Sequence, residues 1–563
     1  MENRLCEEYV YSEDYVEYIL ESGGNVNRIQ EIFQPDCTQS VNENFVIIYE
    51  NRESKGDLSY EKHGYGAVPK CFGLLDVSAL ESMGVFRVRR QPNLDLYGNE
   101  VLIGFVDTGI DYTNVLFQNA DGTSKIEYIW DQSISGETEN QSVPYGMEYT
   151  KIDIDQALAR ENPREALPHA DENYHGTFMA ALAAGNIQEE SEFSGIAPNA
   201  KILMVKLKEA KKNIKDFYGI GDNIPCYQEN DIMMGIEYLL RKSVQMQRPM
   251  VICIGVGTNG GNHEGLFPLG VYLNRMANFA GICIVAAAGN ETNLGHHNEN
   301  DIQGEEELEL ELEIEEEMGI SFELWTGFSG YLTVGIQSPS GEYTERIPIR
   351  SYEQKLDFLF EDTTIYVFYE RVEYYSGEQV IVVRMKNPAK GIWKIRVYNQ
   401  DVEAANFHIW LPMREFISQT TKFLAPSPDT IICEPGNVNR ILTVGAYNHL
   451  DNTIYINSSR GYTSGNSIKP DFVAPGVNVY GPVSALRFGE RSGTSVAVAN
   501  AAGIAAMLLQ WGVVQGNDIG MNSVTAKRYL LRGAKRDDLK VPNRSFGWGK
   551  LDIYNTLNRL RIF

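Results

Sequence analysis

VLIGFVDTGID (residues 101–111) opens on a continuous apolar run, ends it on a carboxylate, and follows with a glycine that permits a sharp turn. A strand that is apolar at every position is buried on both faces, as in a parallel sheet covered by helices. Three further runs repeat that texture: KILMVKL (201–207), MVICIGVG (250–257) and GICIVAAAG (281–289). Helical patterns lie between them, among them HGTFMAALAAG (175–185) and DIMMGIEYLLRK (231–242). The alternation predicts an α/β fold, a parallel sheet with helices on both faces.

Further along, the texture changes near Asp301. EEELELELEIEEE (305–317) alternates Leu308, Leu310, Leu312 and Ile314 with glutamates. A period of two makes a strand with one apolar and one solvated acidic face. More strands are predicted over 320–325, 331–337, 364–370, 379–386, 393–399 and 406–411, with no helix among them. Residues 301–424 therefore read as an all-β sandwich or jelly-roll insertion. The α/β texture resumes with ILTVGAYN (441–448), so one domain is written in two parts, 67–300 and 425–563. Residues 1–66 are polar, with a strand predicted at FVIIYE (45–50) and a helix around 15–21.

The length, 563 residues, implies two or three domains. A formal charge of −27 repels phosphates and argues against a nucleic-acid partner. The seven cysteines are scattered with no C-x-x-C, so neither a disulfide framework nor a zinc site is expected. Cys253 and Cys283, inside apolar runs, read as buried free thiols. The start, MENRLCEEYVYSEDYVEYIL, lacks the basic and apolar regions of a secretory signal, so synthesis in the cytoplasm is expected. Apolar stretches such as 281–289 fall short of the roughly 18 residues a membrane helix needs, so no membrane partner is expected.

Three segments carry chemistry. Asp107 ends the strand of FVDTGID, His175 opens the apolar helix of HGTFMAALAAG, and Ser495 stands in the turn that opens SGTSVAVANAAGIAAMLL (492–509). A serine hydroxyl needs an adjacent base, and a buried carboxylate then holds the imidazole in the right tautomer. A helix N-terminus aims free N–H groups at a developing oxyanion. Each segment alone is a weak signal. Together, in the order Asp, His, Ser, they match the order of subtilisin.

On these residues the chain resembles the subtilases, the S8 family of serine peptidases, and the resemblance extends to AAAGNET (286–292), KPDFVAPG (469–476) and FGWGKLDIYNTL (546–557). It implies a serine endopeptidase acting on protein or peptide substrates without a required cofactor. Asn290 is carried over as the side-chain donor to the oxyanion. VICIGVG resembles the edge strand that pairs with substrate, so Gly255, Val256 and Gly257 are expected to bind it, along with Ala287, Ala288 and Gly289. Tyr174, Ala499 and Gly255 replace a Gly, a Pro and a Ser frequent in the family. The family's calcium loop would fall near 186–193 without a clean match, so calcium stays possible. His296 and His297 read as a boundary turn, since no Asp, Glu or Cys stands at ligand spacing; no metal site is assigned.

FGLLDVSALESMGV (72–85) resembles the start of a mature subtilase, which makes residues 1–66 a small α+β prodomain, cut from the chain somewhere over 60–71 and itself a partner. A short prodomain, no signal and a β insertion together resemble the clostridial Csp germination proteases. That resemblance implies limited cleavage of a spore-cortex hydrolase zymogen, and a spore-associated protein. The alternative is a pseudoprotease, a scaffold of the same fold in signalling. A third is a binding module centred on the insertion. The intact Asp, His, Ser and Asn set speaks against the pseudoprotease.

Overall fold

The computed structural model describes residues 9, 12, 14–21, 25–40, 45–56, 60–63, 78–91, 94–134, 143–188, 192–327, 331–537 and 539–561. The chain divides into two compact units, Met1–Leu75 and Asp76–Phe563.

In the first unit β1 (Tyr15–Glu21), α1 (Val26–Phe33), β2 (Cys37–Ser40) and β3 (Phe45–Asn51) form a three-stranded antiparallel sheet, order β1-β3-β2, with one helix. Tyr18, Ile29, Val46 and Ile48 make its core. Residues 15–21, expected as a helix, are a strand, and the helix is the next segment. YVEYILE is rich in aromatic and β-branched residues, and pairing with β3, Tyr15 opposite Asn51 through Glu21 opposite Phe45, decides the outcome. Cys37 is disulfide-bonded, which scattered cysteine spacing did not announce. The proposed cleavage stretch lies outside the described residues over 64–71.

The second unit is built on an eight-stranded sheet: β4 (Leu102–Asp107), β5 (Ile126–Asp131), β6 (Met147–Thr150), β7 (Lys201–Lys206), β8 (Met250–Ile254), β9 (Ile282–Ala287), and, after the insertion, β20 (Leu442–Tyr447) and β21 (Phe472–Pro475). Their order is β21-β20-β9-β8-β4-β7-β5-β6, parallel except for β5 with β6. Every residue of β4 is buried. On one face pack α2 (His175–Ala184) and, later in the chain, Thr494–Leu509, both buried nearly all round; on the other pack α3 (Glu229–Met246) and α4 (Pro268–Met276). Helices apolar on every side belong inside, and this is the reason HGTFMAALAA and TSVAVANAAGIAAMLL carry no polar stripe. The second, α5 (Thr494–Leu509), continues to Val514 as the one helix among the described residues long and apolar enough to cross a membrane, a length the apolar-run reading missed. Of that window, 89% is buried in the protein.

The insertion is a two-sheet sandwich. One sheet holds β10 (His297–Ile302), β18 (Ala405–Trp410), β12 (Gly319–Thr326), β16 (Gln379–Lys386), β15 (Thr364–Glu370) and β14 (Gln354–Asp357); the other holds β13 (Leu332–Gln337), β17 (Gly391–Asn399), β11 (Glu307–Ile314) and β19 (Lys422–Phe423). Leu310, Leu312 and Ile314 face the shared core, as the period of two predicts. The acidic face of β11 is not merely solvated: Glu309 meets Lys394 at 2.6 Å and Arg396 at 2.9 Å on the neighbouring β17. His296 and His297 are not a turn either. His297 opens β10, and the Nδ1 of His296 lies 2.6 Å from Glu291.

Candidate active site

Chain order places the crevice. From β4 the chain steps to β5 and β7 on one side, then returns past β4 to β8 on the other. In open α/β sheets a ligand cleft forms at such a reversal, beyond the carboxyl ends of the strands. Asp107 is the last residue of β4, and Gly255, Val256 and Gly257 follow the end of β8. A cleft of about 720 Å³ opens there, lined by His175, Gly255, Val256, Gly257, Ala287, Gly289, Asn290 and Ser495.

Asp107 is 1% exposed and its Oδ1 accepts from the Thr108 N–H at 2.8 Å. The same oxygen lies 2.7 Å from Nδ1 of His175, the first residue of α2. Burial opposes charge on His175, but the Asp107 carboxylate and its hydrogen bond outweigh it and hold the imidazole above its ordinary pKa. A donor Nδ1–H leaves the Nε2 lone pair for a proton acceptor's task. Ser495 lines the same cleft, one residue into α5. No hydrogen bond joins it to His175 in the described structure; such bonds commonly tighten only on substrate binding.

Asn290 is oriented by α5. The Thr494 N–H donates to Asn290 Oδ1 at 3.0 Å. Because a backbone N–H only donates, the facing atom is the amide oxygen, and Nδ2 remains free to donate into the cleft. Gly493 carries a φ of 154°, a conformation open to glycine, and a Cβ there would stand 3.5 Å from Ser495 Oγ and 3.7 Å from Asn290 Nδ2. The three groups therefore share one corner.

β8 is a central strand between β4 and β9, not the edge strand expected from the resemblance. Only its extension is open: the backbone of Gly255, Val256 and Gly257 makes no hydrogen bond with other described residues. Ala288 turns away from the cleft. It is fully buried, with its N–H on Val444 and its carbonyl accepting from Cys433.

A side chain at Gly255 has no room. Its Cβ would fall 2.6 Å from Met179 Sδ and 2.7 Å from Asp107 Oδ2, so the serine frequent in the family would collide here. Gly255→Ala is expected to lower kcat/KM about 10²-fold by displacing Asp107, measured beside the Tm. Unchanged turnover would mean that Met179 alone gives way. Tyr174 occupies the left-handed region, φ 60°, which explains the family's glycine at this place; its hydroxyl is tied to Asp111, which Arg164 also holds at 3.1 Å.

Several functional groups escaped sequence reasoning. Asp171 accepts from Thr108 Oγ1 at 2.8 Å and from the Thr177 N–H at 2.8 Å, clamping the turn that delivers His175. Cys433 forms a floor between the two segments expected to bind substrate: a Cβ at Gly257 would be 3.2 Å from its Cβ, and one at Gly289 2.2 Å from its Sγ. Burial raises that thiol's pKa well above normal, so it is a wall and not a nucleophile. The insertion supplies another wall with Ser321, Phe322, Glu323, Met413 and Phe416. No motif flagged them, because only the closure of β12 and the segment after β18 brings them to the cleft.

Near the expected calcium loop, three described oxygens already meet a lysine. The Lys125 ammonium, buried, contacts the carbonyls of Ala184 and Pro198 and, at 3.1 Å, Asn186 Oδ1. Burial lowers its pKa to about 7. Those three oxygens do not fit a calcium ion as well; residues 189–191 of the loop lie outside the described residues.

Comparison with known proteins agrees with this geometry. The subtilase family model matches residues 98–343 and 426–549. The solved CspB protease of Clostridium perfringens is 30% identical, with a TM-score of 0.76 over 86% of this chain and 99% of that one. The subtilisin-like proteases SBT2.2 and SBT2.3 of Arabidopsis thaliana are each 28% identical over 218 residues, 36% of this chain. The match spans about a quarter of the length of those plant proteins (24%). With its fold, cleft and two-part match, the chain belongs to the subtilase family of serine proteases.

Proposed function

We propose that Ser495, His175 and Asp107 work as a catalytic triad in a serine endopeptidase. The observation that carries it is the 2.7 Å contact of His175 Nδ1 with a buried Asp107, in the cleft that Ser495 lines. His175 Nε2 takes the Ser495 proton as Oγ attacks the scissile carbonyl, and later gives it to the leaving amine. Asp107 holds the tautomer and offsets the imidazolium charge. The developing oxyanion is met by Asn290 Nδ2 and the N–H of Ser495 at the start of α5. An extended peptide adds to the open backbone of Gly255, Val256 and Gly257. Among the described residues the cleft lining has Glu229, Glu291 and Glu323 but no Lys or Arg, which disfavours acidic substrate segments, while burial pushes the Glu415 and Glu434 carboxyls above their usual range.

The substrate is a protein cut at few places, its own residues 1–66 among them. The Csp resemblance supports a spore-cortex hydrolase zymogen as the physiological target, with the protein spore-associated. A fluorophosphonate probe tests the central claim: labelling of wild type that disappears in Ser495→Ala is expected, and a pseudoprotease would show none. Asn290→Ala is expected to lower kcat about 10²–10³-fold with KM little changed, the effect known for this donor in subtilisin. Unchanged kcat would assign the oxyanion to another group.

A further inference from the structure

Away from the cleft, the insertion gathers three metal-binding side chains on one sheet face. In the antiparallel pair of β10 and β18, Glu299 stands opposite His408 and His297 opposite Trp410. Since residues two apart share a face, all four side chains project together. His297 Nε2 and His408 Nδ1 point at each other across 3.0 Å. With a Glu299 carboxylate oxygen, the three candidate ligand atoms all lie within 4.8 Å of one another.

The imidazoles are held in place. The Trp410 ring is stacked near-parallel with His297 at 5.1 Å, His408 at 5.0 Å and His263 at 4.0 Å. A neutral imidazole is the form that binds a metal. Two lone-pair nitrogens facing each other share one proton at most, and a cation between them would satisfy both.

We propose that His297, His408 and Glu299 form a zinc site that links the first strand of the insertion to the strand that leads back toward the cleft. Tetrahedral zinc at about 2.0–2.1 Å from nitrogen places two ligand nitrogens roughly 3.3 Å apart, so the observed pair needs to open by only a few tenths of an ångström. Glu299 is exposed and free to swing the remaining distance. Two nitrogens and one carboxylate favour zinc over calcium or magnesium, which prefer all-oxygen shells. The solvent side leaves the fourth position to water. The net charge of −27 favours cation capture in general, but the nitrogen donors select.

The test uses full-length Ser495→Ala protein, stripped with a chelator and titrated with zinc chloride in a calorimeter, with metal content per chain measured after desalting. One zinc per chain and a higher Tm with zinc are expected. His408→Gln should abolish stoichiometric uptake, and Glu299→Gln should weaken it at least about tenfold. Glu299 is on the surface, so that variant keeps the comparison valid if His408→Gln fails to fold. No zinc retained by the parent, or equal uptake by parent and Glu299→Gln, overturns the proposal.

Discussion

Ser495→Ala is expected to lower peptidase turnover about 10⁶-fold, the size of effect known for the nucleophile of subtilisin. The reason is geometric. Among the described residues of the corner shared by Gly493, Asn290 and Ser495, the Thr494 hydroxyl is committed to the Gly289 N–H and Asn290 Oδ1, and the nearby Cys433 thiol is buried and held protonated. Residual activity comes only from substrate positioning and the oxyanion donors. The same variant should remain at its full 63.3 kDa, whereas wild type separates its N-terminal unit. Electrophoresis and N-terminal sequencing read both outcomes, and the residue before the cut reports the P1 preference. Wild type that never cleaves itself would sink the prodomain assignment while leaving the triad to the activity assay.

Asp107→Asn should cost about 10⁴-fold in kcat with the fold intact. An asparagine amide placed 2.7 Å from His175 Nδ1 donates to it, which moves the imidazole proton to Nε2 and removes the lone pair that Ser495 needs. The pH profile separates this from general damage. In wild type, Asp107 outweighs burial and raises the His175 pKa, with Asp171 adding to it and Arg491 opposing. The base form of His175 is therefore lost as pH falls through a value above the usual imidazole range. Removing the Asp107 charge moves that acidic limb to lower pH. A limb that stays in place in Asp107→Asn would mean that another group sets it.

Much of the architecture was legible because it rests on local periodicity. VLIGFVD is apolar throughout and becomes the fully buried β4; LELELEI alternates and becomes the half-buried β11. Failures fall where pairing at a distance overrides a local pattern. YVEYILE is a strand because β3 lies beside it, and the extension of β8 is open although β8 itself is central. Tyr174 looked like a defect in a motif, yet its left-handed backbone and its tie to Asp111 show how a tyrosine meets a glycine's requirement.

The residue types and their order were enough to name the family: a carboxylate at a strand end, a histidine and a serine each at the start of an apolar helix, and an asparagine in a glycine-rich turn. Those are short-range features, set by which side chains a few neighbouring residues can present. Which distant groups stand behind them was decided by folding alone. Sheet order brought β4 beside β8, sandwich closure carried Phe322 and Phe416 to the cleft, and strand register set His408 against Glu299. Such contacts depend on pairing and closure across more than a hundred residues, and no spacing along the chain encodes them.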